Sequence, residues 1–167
     1  GRMHLRKLQA LGNDFLVRLD DPGAVPLTAE EARAACDRRR GVGADGLFQV
    51  TRDGTGRLSQ VLINADGSPA EMSGNGIRCV ALALWRAGWW DAAGGPVDIA
   101  TVAGARQVTY VDGDRDAARF QVAMGEVWVG DRAAAGDTWM VNVGNPHEVR
   151  LLPGDRSTLA TVDMAGV

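Results

Sequence analysis

The chain has 167 residues, with 18 basic and 21 acidic side chains and a net charge of −3; 46% of its residues are hydrophobic, 23% charged and 5% aromatic. That length suits one compact domain, or one domain plus part of another. With no basic cluster beyond Arg38-Arg39-Arg40, the composition argues against a nucleic-acid partner, which needs a concentrated basic face.

No apolar run approaches the roughly 18 residues of a membrane span, and no signal peptide is evident, so no membrane association is expected. Gly1-Arg2 reads as a vector-derived scar before a natural start at Met3. Two cysteines, Cys36 and Cys79, and two histidines, His4 and His147, lack metal-ligand spacing, so no metal is expected. Isolated cysteines without an export signal point to the reducing cytoplasm. Glycine stands out: 22 residues, nearly twice the usual share of about 7%.

In chain order, residues 5–19 place two short apolar stretches around Gly12-Asn13-Asp14, which predicts strand, turn, strand. Thr28-Ala29-Glu30-Glu31 has the form of a capping box and opens a helix with a stripe of Ala29, Ala32, Ala35 and Cys36. That helix is expected to end with solvated Arg38-Arg39-Arg40 at its negative pole and Gly41 as its left-handed cap. Residues 47–51 and 58–64 are expected strands around the turn Asp53-Gly54-Thr55-Gly56. Residues 77–88, apolar on nearly every side, predict a buried helix. Strands follow at 106–111, 119–124, 139–143 and 149–152, with 130–137 read as a linker or long surface loop. The implied class is α+β: a mixed, mostly antiparallel sheet wrapped around a central buried helix.

Residues 41–46, GVGADG, match the dinucleotide fingerprint G-x-G-x-x-G letter for letter. That fingerprint needs a strand before it and a helix after it. Here a helix precedes and a strand follows, so these glycines are expected to form a tight helix-to-strand connection.

A stronger candidate site is Asn64-Ala65-Asp66-Gly67-Ser68, followed by Met72-Ser73-Gly74-Asn75-Gly76 where the buried helix begins. Backbone N–H groups converging at a helix N-terminus favour an anion such as a carboxylate; Ser73 or Asn75 could equally serve as a plain N-cap. Glu71 and Asn75 stand where a nucleophile elbow needs glycines, which removes that motif. Gly144-Asn145-Pro146-His147 places an amide on a rigid turn, suiting a turn former or a substrate contact.

These segments together resemble the diaminopimelate epimerase family. The matching pieces are Leu11-Gly12-Asn13-Asp14-Phe15, Cys36-Asp37-Arg38-Arg39, Gly43-Ala44-Asp45-Gly46 and Asn64-Ala65-Asp66-Gly67-Ser68. Glu71-Met72-Ser73-Gly74-Asn75-Gly76 with Arg78-Cys79, and Gly144-Asn145-Pro146-His147, complete the set. The resemblance implies two similar lobes, each a mixed sheet around a central helix, with the site between them. It implies epimerisation of LL- to meso-diaminopimelate by two cysteines on opposite faces of the α-carbon, with no cofactor, a diaminopimelate substrate and a possible homodimer. Asn13, Gln49, Asn64 and Asn145 would contact the substrate, and Gly74 and Asn75 would offer backbone donors.

Two departures follow from the resemblance. Ser73 occupies the position of the first catalytic cysteine, and no cysteine follows Cys79. Residues 3–124 would form the first lobe and 125–167 an incomplete start of the second, in a chain that binds substrate weakly and does not epimerise. The rival expectations are another pyridoxal-independent racemase or isomerase of the same fold, and a non-catalytic binding relative.

Overall fold

The computed structural model describes residues 3–71, 73–123, 128–132, 138–142 and 146–150. The chain divides into two compact units, Gly1–Ala123 and Met124–Val167.

In the first unit, β1 (Arg6–Ala10) and β2 (Asn13–Asp20) form a hairpin with Ala10 opposite Asn13. Its two-residue turn is Leu11-Gly12, both with positive φ (50° and 87°), as a right-twisted hairpin demands. The turn therefore lies earlier than the sequence suggested, and Asn13 and Asp14 belong to β2. Helix α1 (Ala29–Cys36) starts at Thr28, whose side chain accepts from the Glu31 N–H while the Glu31 carboxylate accepts from Thr28 N–H. The expected capping box is thus present in both directions.

Strand β3 (Gly46–Arg52) then runs parallel to β2, completing a crossover, and β4 (Leu58–Asn64) returns antiparallel with Gly46 opposite Asn64. The short β5 (Pro69–Ala70) pairs with β4 and leads into α2 (Gly74–Arg86). A single 3-10 turn, Ala92–Gly94, precedes β6 (Val97–Thr101), which lies parallel to β4; β7 (Gly104–Gly113) and β8 (Ala118–Ala123) extend the sheet antiparallel. The sheet order is β1-β2-β3-β4-β6-β7-β8, with β5 beside β4.

Helix α2 packs on β1, β2 and β8, so the sheet curls until both of its edges meet the helix. Strand alternation sends Phe15, Val17, Phe48, Val50, Leu58, Leu62, Val97, Ile99, Val108 and Phe120 toward α2. There they join Ile77, Val80, Ala81, Ala83 and Leu84 in one core. Leu16 and Leu47 face the other way and pack with Ala32 and Cys36 of α1. At about 1.5–3 kcal/mol for each fully buried Leu, Ile, Val or Phe, the inner layer is the main source of stability. The expected α+β class with a mixed sheet around a buried helix is what the chain adopts.

Three local expectations are corrected. Helix α1 stops at Cys36, because Asp37 turns extended (φ −60°, ψ 120°) and its carboxylate accepts from the Arg39 and Arg40 N–H groups at 2.8 and 2.9 Å. The left-handed residue is Gly43 (φ 82°), not Gly41. Arg38 is only in part a solvated helix-end charge, since it also grips two carboxylates, described below.

In the second unit, β9 (Trp128–Arg132), β10 (Thr138–Asn142) and β11 (Pro146–Arg150) form an antiparallel sheet ordered β11-β10-β9. Part of the stretch read as a linker, Gly130-Asp131-Arg132, is therefore strand. Asn145 lies outside the described residues.

Candidate functional site

Ser73 is the N-cap of α2: its extended backbone (φ −135°, ψ 118°) stops the helix, and its Oγ accepts from the Gly76 N–H at 2.9 Å. Ser73 is half-buried, and Gly74, Asn75 and Gly76 are buried. Gly76 packs against Phe48, where a Cβ would lie 2.6 Å from Phe48 Cε2. The glycine thus lets the first turn of α2 rest on that ring. Gly74 and Asn75 hold the first two helical positions.

Sheet register places the remaining residues around this turn. Phe48 lies in a row with Val17 and Leu62; the next row on the same face is Phe15–Gly46–Asn64, and Asn13 lies one pleat beyond Phe15. Each pleat advances about 7 Å. Asn13 and Asn64 therefore sit on the α2 face. Arg52, at the opposite end of β3, lies over the Trp89 ring just beyond the C-terminus of α2, so the helix N-terminus is directed toward the end that carries the asparagines. Asn64 also donates from Nδ2 to Ser68 Oγ (3.1 Å), and the Ser68 hydroxyl donates to Asp66 Oδ1 (2.5 Å), which holds the Asp66 carboxyl below its ordinary range. Gly67 (φ 84°) closes this loop against Arg33 and Ala29 of α1.

Gln49 does not join them. It lies between Phe48 and Val50 and so faces the α1 side of the sheet. Its Nε2 donates to Asp20 Oδ2 (2.8 Å) and Val25 O (3.3 Å), and its Oε1 accepts from Leu27 N–H (2.9 Å). Both ends of the amide are spent on holding the 20–27 loop.

Sequence reasoning missed a charged network beside the site. Arg38 donates to both oxygens of Asp14 (2.9 and 2.7 Å) and to Asp45 Oδ1 (3.0 Å), and Lys7 Nζ lies 3.4 Å from Asp14. The Arg38 hydrogen bonds hold the Asp14 carboxyl far below its ordinary range, and Asp14 in turn raises Arg38. The sequence shows Asp14, Arg38 and Asp45 within the matching motifs, but their opposite charges stand at positions with no periodic relation, so nothing local pairs them.

Neither cysteine reaches this turn. Cys79, one and a half turns into α2, is 2% exposed, and burial pushes its thiol up to about 12. Cys36 is equally buried, in the outer core, with its thiol raised first by burial. A separate cleft of about 310 Å³ runs between the β1–β2 turn and β8, lined by Leu11, Arg78, Cys79, Leu82 and Phe120 among others. Arg78, half-buried on its wall, is committed, because it donates to Phe120 O and Gly74 O. Among the described residues, no group of three His, Cys, Asp or Glu side chains is placed to hold a metal, and no helix is long and apolar enough to cross a membrane.

The combination of a glycine-flanked N-cap with asparagines in front of it points back to the motifs, and comparison with known proteins decides the family. The diaminopimelate epimerase family model matches residues 6–129. The chain belongs to the diaminopimelate epimerase family. It is 37% identical to the diaminopimelate epimerase of Desulforudis audaxviator (strain MP104C), over 87% of this chain and 58% of that protein. The Mycobacterium avium (strain 104) diaminopimelate epimerase is 36% identical over 98% of this chain and 64% of its own length. The chain thus spans about six-tenths of the length of these relatives. Among solved structures, a hydroxyproline epimerase from Agrobacterium vitis superposes with a TM-score of 0.61 at 16% identity, covering 89% of this chain and 51% of that one. A probable proline racemase from Agrobacterium radiobacter K84 gives 0.60 at 17% identity, covering 99% and 58%. Family and fold agree, because the half-barrel around a central helix is what these relatives share.

Proposed function

We propose that this chain carries the substrate-gripping lobe of a cofactor-independent diaminopimelate epimerase and, with Ser73 in place, binds diaminopimelate without inverting its α-carbon. One observation carries the reading: the N-terminus of α2, capped by Ser73, points at the sheet rows that present Asn13 and Asn64. The positive end of a buried helix suits the carboxylate of the amino-acid head. The two asparagine amides can donate and accept, as a substrate bearing both ammonium and carboxylate groups requires.

Proton removal needs a base facing the α-carbon. A thiol, with a pKa near about 8.5, is readily tuned into a thiolate at a helix N-terminus. The Ser73 hydroxyl is far less acidic, and no side chain that could act as its base contacts it among the described residues. Cys79 is no replacement, since burial holds its thiol protonated. Asn145 would add a further amide, and the active enzyme would operate in the cytoplasm without metal or cofactor.

The test is solvent exchange. In deuterated water with LL- or meso-diaminopimelate, the chain should show saturable binding and no α-proton loss. In a Ser73→Cys form, the thiolate would take the α-proton, leave the carbanion electron pair on the α-carbon, and allow a solvent deuteron to return. Exchange of diaminopimelate by the Cys form alone supports the reading. Exchange of a different amino acid instead would move the assignment to another racemase of this fold. Absence of both binding and exchange in both forms would leave a non-catalytic relative, which Ser73 itself favours.

A further inference from the structure

Residues 38–46 join α1 to β3 by a path that glycine makes possible. Val42 and Gly43 N–H both donate to Ala35 O (2.9 and 3.1 Å), and Ala44 N–H donates to Cys36 O (3.1 Å). The chain therefore folds back tightly over the end of α1. A Cβ on Gly41 would lie 2.7 Å from Ala35 O, and one on Gly43 would lie 3.0 Å from Arg38 Cα. This return path brings Arg38 and Asp45 to the start of β2. Asp45 N–H donates to Asp14 O (2.9 Å), Asp45 Oδ2 accepts from Asp14 N–H (3.0 Å), and Asp45 O accepts from Ala65 N–H (3.0 Å). Arg38 then spans the carboxylates of Asp14 and Asp45.

Asp45 is thus bonded to the residue after Asn13 and to the residue after Asn64, and its own neighbour Gly46 lies opposite Asn64. The three strand ends that carry the two asparagines are tied through one residue. Resting on the substrate reading above, we propose that Arg38, Asp14 and Asp45 form a clamp that sets the spacing of the Asn13 and Asn64 amides before α2, making Arg38 and Asp45 positioning residues for a diamino dicarboxylic acid. The G-x-G-x-x-G segment has a role on this account: it is the connector that delivers the clamp. Arg38 is 56% exposed, so its ion pairs are partly screened and their stabilisation is modest. Its effect lies in geometry, where displacements of about 1 Å can cost large factors.

The experiment follows the side-chain amide signals of Asn13 and Asn64 by NMR in the full chain, with meso-diaminopimelate as the added probe. Arg38→Ala and Asp45→Ala should shift and broaden both pairs of signals and weaken binding about tenfold or more, with the methyl signals of Val80 and Leu84 unchanged. Asp45→Asn, whose amide oxygen still accepts from Asp14 N–H, should keep Asn13 and Asn64 close to their original positions. If the alanine variants unfold, Arg38→Gln, which keeps the length but loses the charge, reads the same signals. Unmoved Asn13 and Asn64 signals in the Arg38 and Asp45 variants overturn the clamp. If the unsubstituted chain fails to bind diaminopimelate while those signals still respond, the clamp stands and the substrate reading falls.

Discussion

Asp14 shows how a single side chain can be misjudged from its neighbours in sequence. Beside Gly12 and Asn13 it looks like a turn former, yet it is a strand residue whose carboxylate accepts two hydrogen bonds from Arg38. Its folded pKa is lowered, chiefly by those bonds, so the stability it contributes is complete above the unfolded value of about 3.9. That contribution is lost as pH falls through the folded value. Chemical denaturation should therefore separate Asp14→Asn from the unsubstituted chain at pH 7, and the gap should narrow steadily below about pH 4. A gap independent of pH would assign the effect to packing.

Among elements, α2 shows most clearly what periodicity can and cannot locate. Its apolar residues marked a buried helix from 77, but the helix begins at Gly74, because the first turn is built from residues that carry no hydrophobic signal. Gly76 is there for Phe48: an added Cβ would press into the ring. Gly76→Ala should cost about 1–3 kcal/mol in denaturant unfolding, the usual range for overpacking. Combining it with Phe48→Leu should recover part of that loss, since the two positions share one space. Additive losses would show that the glycine answers to backbone conformation instead. Helix α1 gives the opposite lesson. Thr28 and Glu31 announced its start through a local bonding pattern, whereas its end was set by an Asp37 turn that the run of arginines concealed.

At the scale of the first unit, one curled sheet separates two cores, with Cys79 inside against α2 and Cys36 outside under α1. Both are 2% exposed, and both cores are lined by alternate residues of the same β2 and β3. Cys79 borders the cleft beside β8, whereas Cys36 is covered by the packing of α1 on the sheet. Native-state labelling with a thiol reagent should therefore modify Cys79 at a lower opening free energy than Cys36, whose labelling should match the global unfolding value. Earlier labelling of Cys36 would show that α1 peels away alone. The same alternation carries two polar residues inward: Gln60 and Arg106 are 5% and 8% exposed on the α2 side, where their strands' parity, not their polarity, places them.

The sequence by itself determined the elements whose causes are local: the capping box, the apolar helix, the alternating strands and the glycine turns, along with the motifs of the family to which the chain belongs. It also disposed of the nucleotide fingerprint through element order, since α1 precedes and β3 follows. Tertiary structure decided what depends on strand parity and on contacts between distant residues. It turned Gln49 to the far face of the sheet, joined Arg38 to Asp14 and Asp45, and pointed the α2 N-terminus at two asparagines. Hydrogen bonding within a turn or helix is written in neighbouring residues, whereas a sheet's register and curl are set by burying α2 from every side, which no short stretch of chain specifies.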